Sequence, residues 1–76
     1  MEIQKFIEKF ASQFEETDME LFKPETEFKN LDEWSSLMSL SIIAMVDEEY
    51  DVQLKGDDIR NTSSIEELFK LVTTKI

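Results

Sequence analysis

The residues best placed for chemistry are the two serines of Ser35-Ser36-Leu37. They open a long apolar run that ends in Asp47-Glu48-Glu49-Tyr50. A serine hydroxyl can be esterified. A helix N-terminus is a favourable seat for a phosphate ester, because backbone N–H donors and the helix dipole favour negative charge. The simplest role for Ser-Ser before an apolar run is an N-cap, in which a hydroxyl accepts from a free backbone N–H. Two serines allow both roles: one supplies the cap while its neighbour faces outward. At the far end, Asp47, Glu48 and Glu49 oppose the helix dipole, each at a cost of about 0.3–1 kcal/mol. No lysine or arginine lies within that last turn to offset them. They form either a solvated helix end or a docking site for a basic patch.

The rest of the inventory narrows the chemistry. The chain has no cysteine and no histidine. That removes disulfides, thiolate nucleophiles, cysteine metal sites and the commonest general base. A self-sufficient enzyme is not expected, nor is a metal site. The net charge is −10, from 18 acids against 8 bases. Nucleic acid and anionic membrane both need positive charge, so neither is an expected partner. Basic protein surfaces are, reached by electrostatic steering. No stretch approaches the ~18 apolar residues of a membrane span, and the N-terminal residues carry no signal-peptide pattern. A cytoplasmic protein is the expectation.

Seventy-six residues predict one domain, 1–76, with modest stability. One glycine and one proline favour helix over many short strands. Ile3, Phe6, Ile7, Phe10 and Phe14 step by three and four, the stripe of an amphipathic helix over about residues 2–16. Residues 17–35 lack a clean period, so an ordered crossover loop with one helical turn is expected. Leu21, Phe22, Phe28, Leu31 and Trp34 are placed to tack it onto the core.

The second helix is expected over about 36–50. Leu37, Leu40, Ile43, Ala44 and Val46 can make its buried face, closed by Tyr50. Met38, Ser41, Met45 and Glu48 share another side, which is either the outer one or, at its two methionines, packed under the crossover loop. From Leu37 to Val46 the segment is apolar almost all round, so it is either deeply central or offers apolar surface to a partner. Lys55-Gly56 breaks the chain, and Asp57, Asp58 and Ile59 suggest a short helical turn. Ser64 stands three residues before Glu67, a capping box ahead of the Ile65, Leu68, Phe69, Val72 stripe; Ser63 with Glu66 is the alternative register. The fold class is all-α: a small bundle of three long helices and one short third helix, with a long loop between the first two.

At this point the residues resemble a family. Ser36-Leu37, an aromatic thirteen residues on at Tyr50, and Asp47-Glu48-Glu49 just before it are similar to the acyl carrier proteins. Their usual pattern is Asp-Ser-Leu, a mainly apolar helix, then an acidic run and phenylalanine. The resemblance extends to the long loop before the serine, the short helix near Asp57 and the capped last helix.

The resemblance implies a function. A separate phosphopantetheinyl transferase, using magnesium, would esterify Ser36 with 4′-phosphopantetheine from coenzyme A. The terminal thiol of that arm would carry acyl groups as thioesters. The protein would be a monomeric carrier, in fatty acid, polyketide or related biosynthesis. Leu37, Met38, Ser41, Met45, Asp47, Glu48 and Glu49 would meet partner enzymes through basic and apolar docking patches. The missing cysteine and histidine fit this role, because the reactive thiol comes with the cofactor.

Three positions depart from the family's pattern. Ser35 stands where an aspartate is usual, and Met38 and Ser41 where acids are frequent. They point to a specialised carrier whose partner reads a more apolar surface, including an aminoacyl or peptidyl carrier. Trp34 either contributes to that surface or anchors the loop. The rival is an unmodified interaction module on the same fold. A calcium loop is poorly matched, since Tyr50, Val52 and Leu54 interrupt the acids and Gly56 falls late.

Overall fold

A computed structural model describes residues 2–76. They form a bundle of four helices: α1 (Ile3–Ala11), α2 (Ser36–Tyr50), α3 (Gly56–Arg60) and α4 (Ile65–Lys75). No strand occurs among the described residues. None of these helices is long and apolar enough to cross a membrane.

α1 is shorter than its apolar stripe predicts, ending at Ala11 instead of near residue 16. Its last carbonyls and the amides beyond find other partners. The Ser12 hydroxyl donates to Lys9 O at 2.7 Å, and the amides of Glu15 and Glu16 donate to the Glu33 carboxylate. Side-chain groups of this kind compete with the helical ladder. Phe14 still reaches the core, through a tight turn closed by its amide on Ala11 O.

The crossover loop carries two 3-10 turns, Met19–Leu21 and Phe28–Asn30, where one turn was expected. Phe22 and Phe28 are buried, and Leu31 and Trp34 pack against the core. Leu21 does not join them; it is exposed. The loop also completes α4. The amides of Ile65 and Glu66 donate to Thr26 O and Pro24 O at 3.1 and 2.8 Å. These are first-turn donors that no intrahelical acceptor can reach.

Phe6, Phe10, Phe14, Phe22 and Phe28 form a continuous aromatic column in the core. Ile42, Met45 and Val46 of α2, Ile59 of α3, and Ile65, Leu68 and Val72 of α4 close around it. The expected Ser64 cap is present, its hydroxyl accepting from Glu67 N at 3.2 Å. The reciprocal bond falls one residue early: the Glu67 carboxylate accepts from Ser63 N at 2.9 Å. In α3 the Asp58 carboxylate accepts from Lys55 N at 2.9 Å.

α2 ends in a conformation that its sequence does not favour. Asp51 takes the left-handed region (φ 56°, ψ 40°), with its amide on Asp47 O at 3.0 Å. That region usually belongs to glycine, and the Asp51 charge also adds to the negative helix end. Asp51→Gly is therefore expected to stabilise the fold by about 1 kcal/mol. Urea unfolding measures this as a raised midpoint at unchanged slope; a lowered midpoint contradicts it.

Candidate functional site

The two serines take different roles at the start of α2. Ser35 is the N-cap: its backbone is extended, and its hydroxyl accepts from Met38 N at 3.3 Å. Ser36 is the first helical residue and is exposed. No acid lies in the first turn of α2. The first-turn amides of Ser36 and Leu37 have no intrahelical acceptor.

The outer face of α2 is rotated from the expected one. Leu37 and Leu40 are 75% and 62% exposed, and Ala44, Asp47 and Glu48 are exposed with them. This stripe runs from beside Ser36 to the acidic end. It lies one residue, or about 100°, before the expected stripe of Met38, Ser41, Met45 and Glu48. Met45 is buried at 5% exposure and lies in the core, so it is absent from the open surface. Met38 and Ser41 are half-buried. The expected inward face of Leu37, Leu40, Ile43, Ala44 and Val46 is corrected as well: only Val46 is fully buried, Ile43 is partly so, and Ile42 and Met45 do most of the packing. A segment apolar on all sides carries no periodicity that selects a face. Tertiary packing selects it instead: Ile42, Met45 and Val46 join the core cluster, and Trp34 packs against the same cluster, stacked on Phe14 and edge-on to Phe28. Trp34 is thus a half-buried loop anchor.

Two concavities flank this helix and the loop before it. One, of about 300 Å³, is lined by Leu40, Ile43, Ala44, Asp47, Gln53, Leu54 and Lys55. It opens beside the exposed stripe, one turn on from Ser36. The other, of about 400 Å³, lies between the end of the α1 turn and the loop, lined by Glu16, Thr17, Asp18, Leu21, Asn30, Leu31, Asp32 and Glu33. Among the described residues no group of three or more acidic side chains is arranged to hold a metal ion.

The acids at the far end of α2 are not equivalent. Glu49 is paired with Lys9 of α1 at 2.6 Å, and that hydrogen bond raises the Lys9 ammonium above its ordinary pKa. Lys9 also lies 5.4 Å from the Tyr50 ring centroid. A base from another helix therefore supplies the offset that α2 itself lacks. Asp47 and Glu48 stay exposed and appear in none of the ion pairs of the described residues. Burial pushes the Tyr50 phenol up, against the pull of the Lys9 charge.

Sequence reasoning missed Glu33. Its carboxylate accepts from Glu15 N at 3.2 Å, Glu16 N at 2.8 Å and the Thr17 hydroxyl at 2.6 Å. Sequence offers one weak signal: the apolar stripe of α1 stops where the amides of Glu15 and Glu16 need an acceptor. The Thr17 bond first, then the amides, hold the Glu33 carboxyl below the usual carboxylate range. A depressed pKa contributes stability above the unfolded value of about 4.3, lost as pH falls through the lower folded value. Glu33→Gln is therefore expected to melt below wild type at neutral pH. The gap between the two should close as pH falls below about 4, and a constant gap contradicts the assignment.

No protein-family model, curated protein or solved structure matches the chain.

Proposed function

We propose that this chain is a carrier protein of the acyl-carrier type, with 4′-phosphopantetheine held as a phosphodiester on Ser36. The observation that supports this most is the division of labour at the start of α2. Ser35 takes the cap, which leaves the Ser36 hydroxyl exposed at the helix N-terminus. The neighbouring first-turn amides and the helix dipole favour the added phosphate charge. No first-turn acid opposes it. A phosphopantetheine arm supplies the thiol that this chain lacks.

The remaining residues suit presentation of the arm to other proteins. Leu37 and Leu40 form an apolar apron beside the serine, and Asp47 and Glu48 offer negative charge three turns on. A partner with an apolar contact near Ser36 and a basic patch beyond it would match this face. The concavity beside Leu40 and Ala44 is a candidate shelter for an attached acyl chain. Catalysis would belong to the partners: the transferase that loads Ser36, and the acyl-transferring or ligating enzymes that use the thioester. The cytoplasm is the proposed compartment, where coenzyme A and such enzymes are available.

The proposal is tested by labelling with a fluorescent coenzyme A analogue and a broad-specificity phosphopantetheinyl transferase. Wild type and Ser35→Ala should take up label, and Ser36→Ala should take up none. Absence of label on wild type would favour an unmodified interaction module, a reading that Ser35 in place of the usual acid also invites.

A further inference from the structure

Glu33 and Trp34 are adjacent, and they grip the same short stretch of chain. The Glu33 carboxylate holds the amides of Glu15 and Glu16 and the hydroxyl of Thr17 at 2.6–3.2 Å. The Trp34 ring stacks on Phe14, the residue just before them, with 6.4 Å between centroids. Ser35 and Ser36 follow directly. Between the turn that ends at Asn30 and the start of α2, the chain has no helix of its own. Its course into the N-cap is set by these two side chains and by the turn that puts Trp34 N on Leu31 O at 3.0 Å.

The grip by Glu33 is electrostatically selective. Glu15, Glu16 and Asp32 are nearby acids along the chain, so a further carboxylate there is repelled unless donors face it. Three donors do, in charge-assisted bonds of the stronger class. The bonded groups of Glu15 and Glu16 lie outside the buried core, so loss of the clasp leaves the aromatic column intact.

The geometry points to Glu33 as a positioning residue for the modification of Ser36, its clasp on residues 15–17 holding the entrance to α2 in the arrangement that presents the hydroxyl. This inference rests on the carrier function proposed above. Glu33 touches no reacting atom; it acts through the conformation of residues 33–36. When the clasp opens, a smaller fraction of the chain presents Ser36 correctly. Apparent affinity then falls by that fraction, while turnover of the correctly bound complex is unchanged. The expected signature is a raised KM at constant kcat.

The test measures initial rates of phosphopantetheinyl transfer from coenzyme A to wild type, Glu33→Gln and Thr17→Val, with amide hydrogen exchange on the same samples. For Glu33→Gln, the KM for the carrier should rise about three- to tenfold with kcat within about twofold. Thr17→Val, which removes one of three bonds, should show a smaller rise. Exchange should quicken by a larger factor at residues 15–17 and 35–38 than in α4, whose core amides follow only the loss of global stability. An unchanged KM in folded Glu33→Gln overturns the inference. So does an equal loss of protection in α4, which would mark Glu33 as merely structural. Failure of wild type to accept the group would instead overturn the carrier function, and that outcome is recognised from wild type alone.

Discussion

Phe10→Ala is expected to leave this chain largely unfolded at room temperature. Phe10 is fully buried and stands in the middle of the aromatic column. It meets Phe6, Phe14, Phe22 and Phe28 at centroid distances of 6.3, 5.7, 6.2 and 5.4 Å. Those partners come from α1, from the turn after it and from both halves of the crossover loop, so one ring ties the loop to the bundle. Removing a buried phenylalanine costs about 3–5 kcal/mol in lost transfer energy and residual cavity. A single-core domain of this size rarely holds more than about 3–5 kcal/mol in total. The substitution therefore removes most or all of the margin. Urea titration followed by helical circular dichroism reads the effect directly. A loss below about 1.5 kcal/mol would mean that the column is not the centre of the core.

Tyr50→Phe should act in the opposite direction. The Tyr50 hydroxyl is buried and has no hydrogen-bond partner among the described residues. Its ring packs 5.8 Å from Phe6, under Lys9. A buried, unpaired hydroxyl forfeits about 1–3 kcal/mol of hydration, whereas the ring contacts survive its removal. Phenylalanine should therefore stabilise the fold by about 1–2 kcal/mol, with Lys9 still paired to Glu49. A destabilised variant would show that the hydroxyl is bonded in solution.

These two residues also mark what could be seen in the sequence and what could not. Spacing alone identified Phe10 as core, because α1 obeys a clean three-and-four pattern. It also placed α2 over 36–50 and the Ser64 cap of α4, since both are local signals: Ser-Ser before an apolar run, and a serine three residues ahead of a glutamate. The features it missed are held by partners far along the chain. Glu33 reaches back to residues 15–17 and cuts α1 short, and Lys9 crosses to Glu49 forty residues away. No window over a single element contains both partners. The rotation of α2 failed for a different reason. With Leu37, Met38, Leu40, Ile42, Ile43, Ala44, Met45 and Val46 all apolar, several faces were equally plausible from within the helix. Packing into the shared core cluster decided that Met45 turns inward, while Leu37 is left outward.

The same rotation changes the candidate site. Sequence spacing separated Ser36 from Ser35, and the structure gives the cap to Ser35. The surface beside Ser36 is formed by Leu37 and Leu40 instead of Met38, Ser41 and Met45. Negative charge on that face is left to Asp47 and Glu48, because Glu49 is engaged by Lys9. A partner reading this face would meet apolar surface first and charge three turns later.

Mass mapping of the modified residue tests the central claim most directly. The protein is incubated with coenzyme A, magnesium and a broad-specificity transferase, then digested and fragmented. The carrier account predicts a single phosphopantetheinyl group on Ser36, with Ser35 and Ser39 unmodified. No gain of mass, or a group located on Ser35 or Ser39, would contradict it.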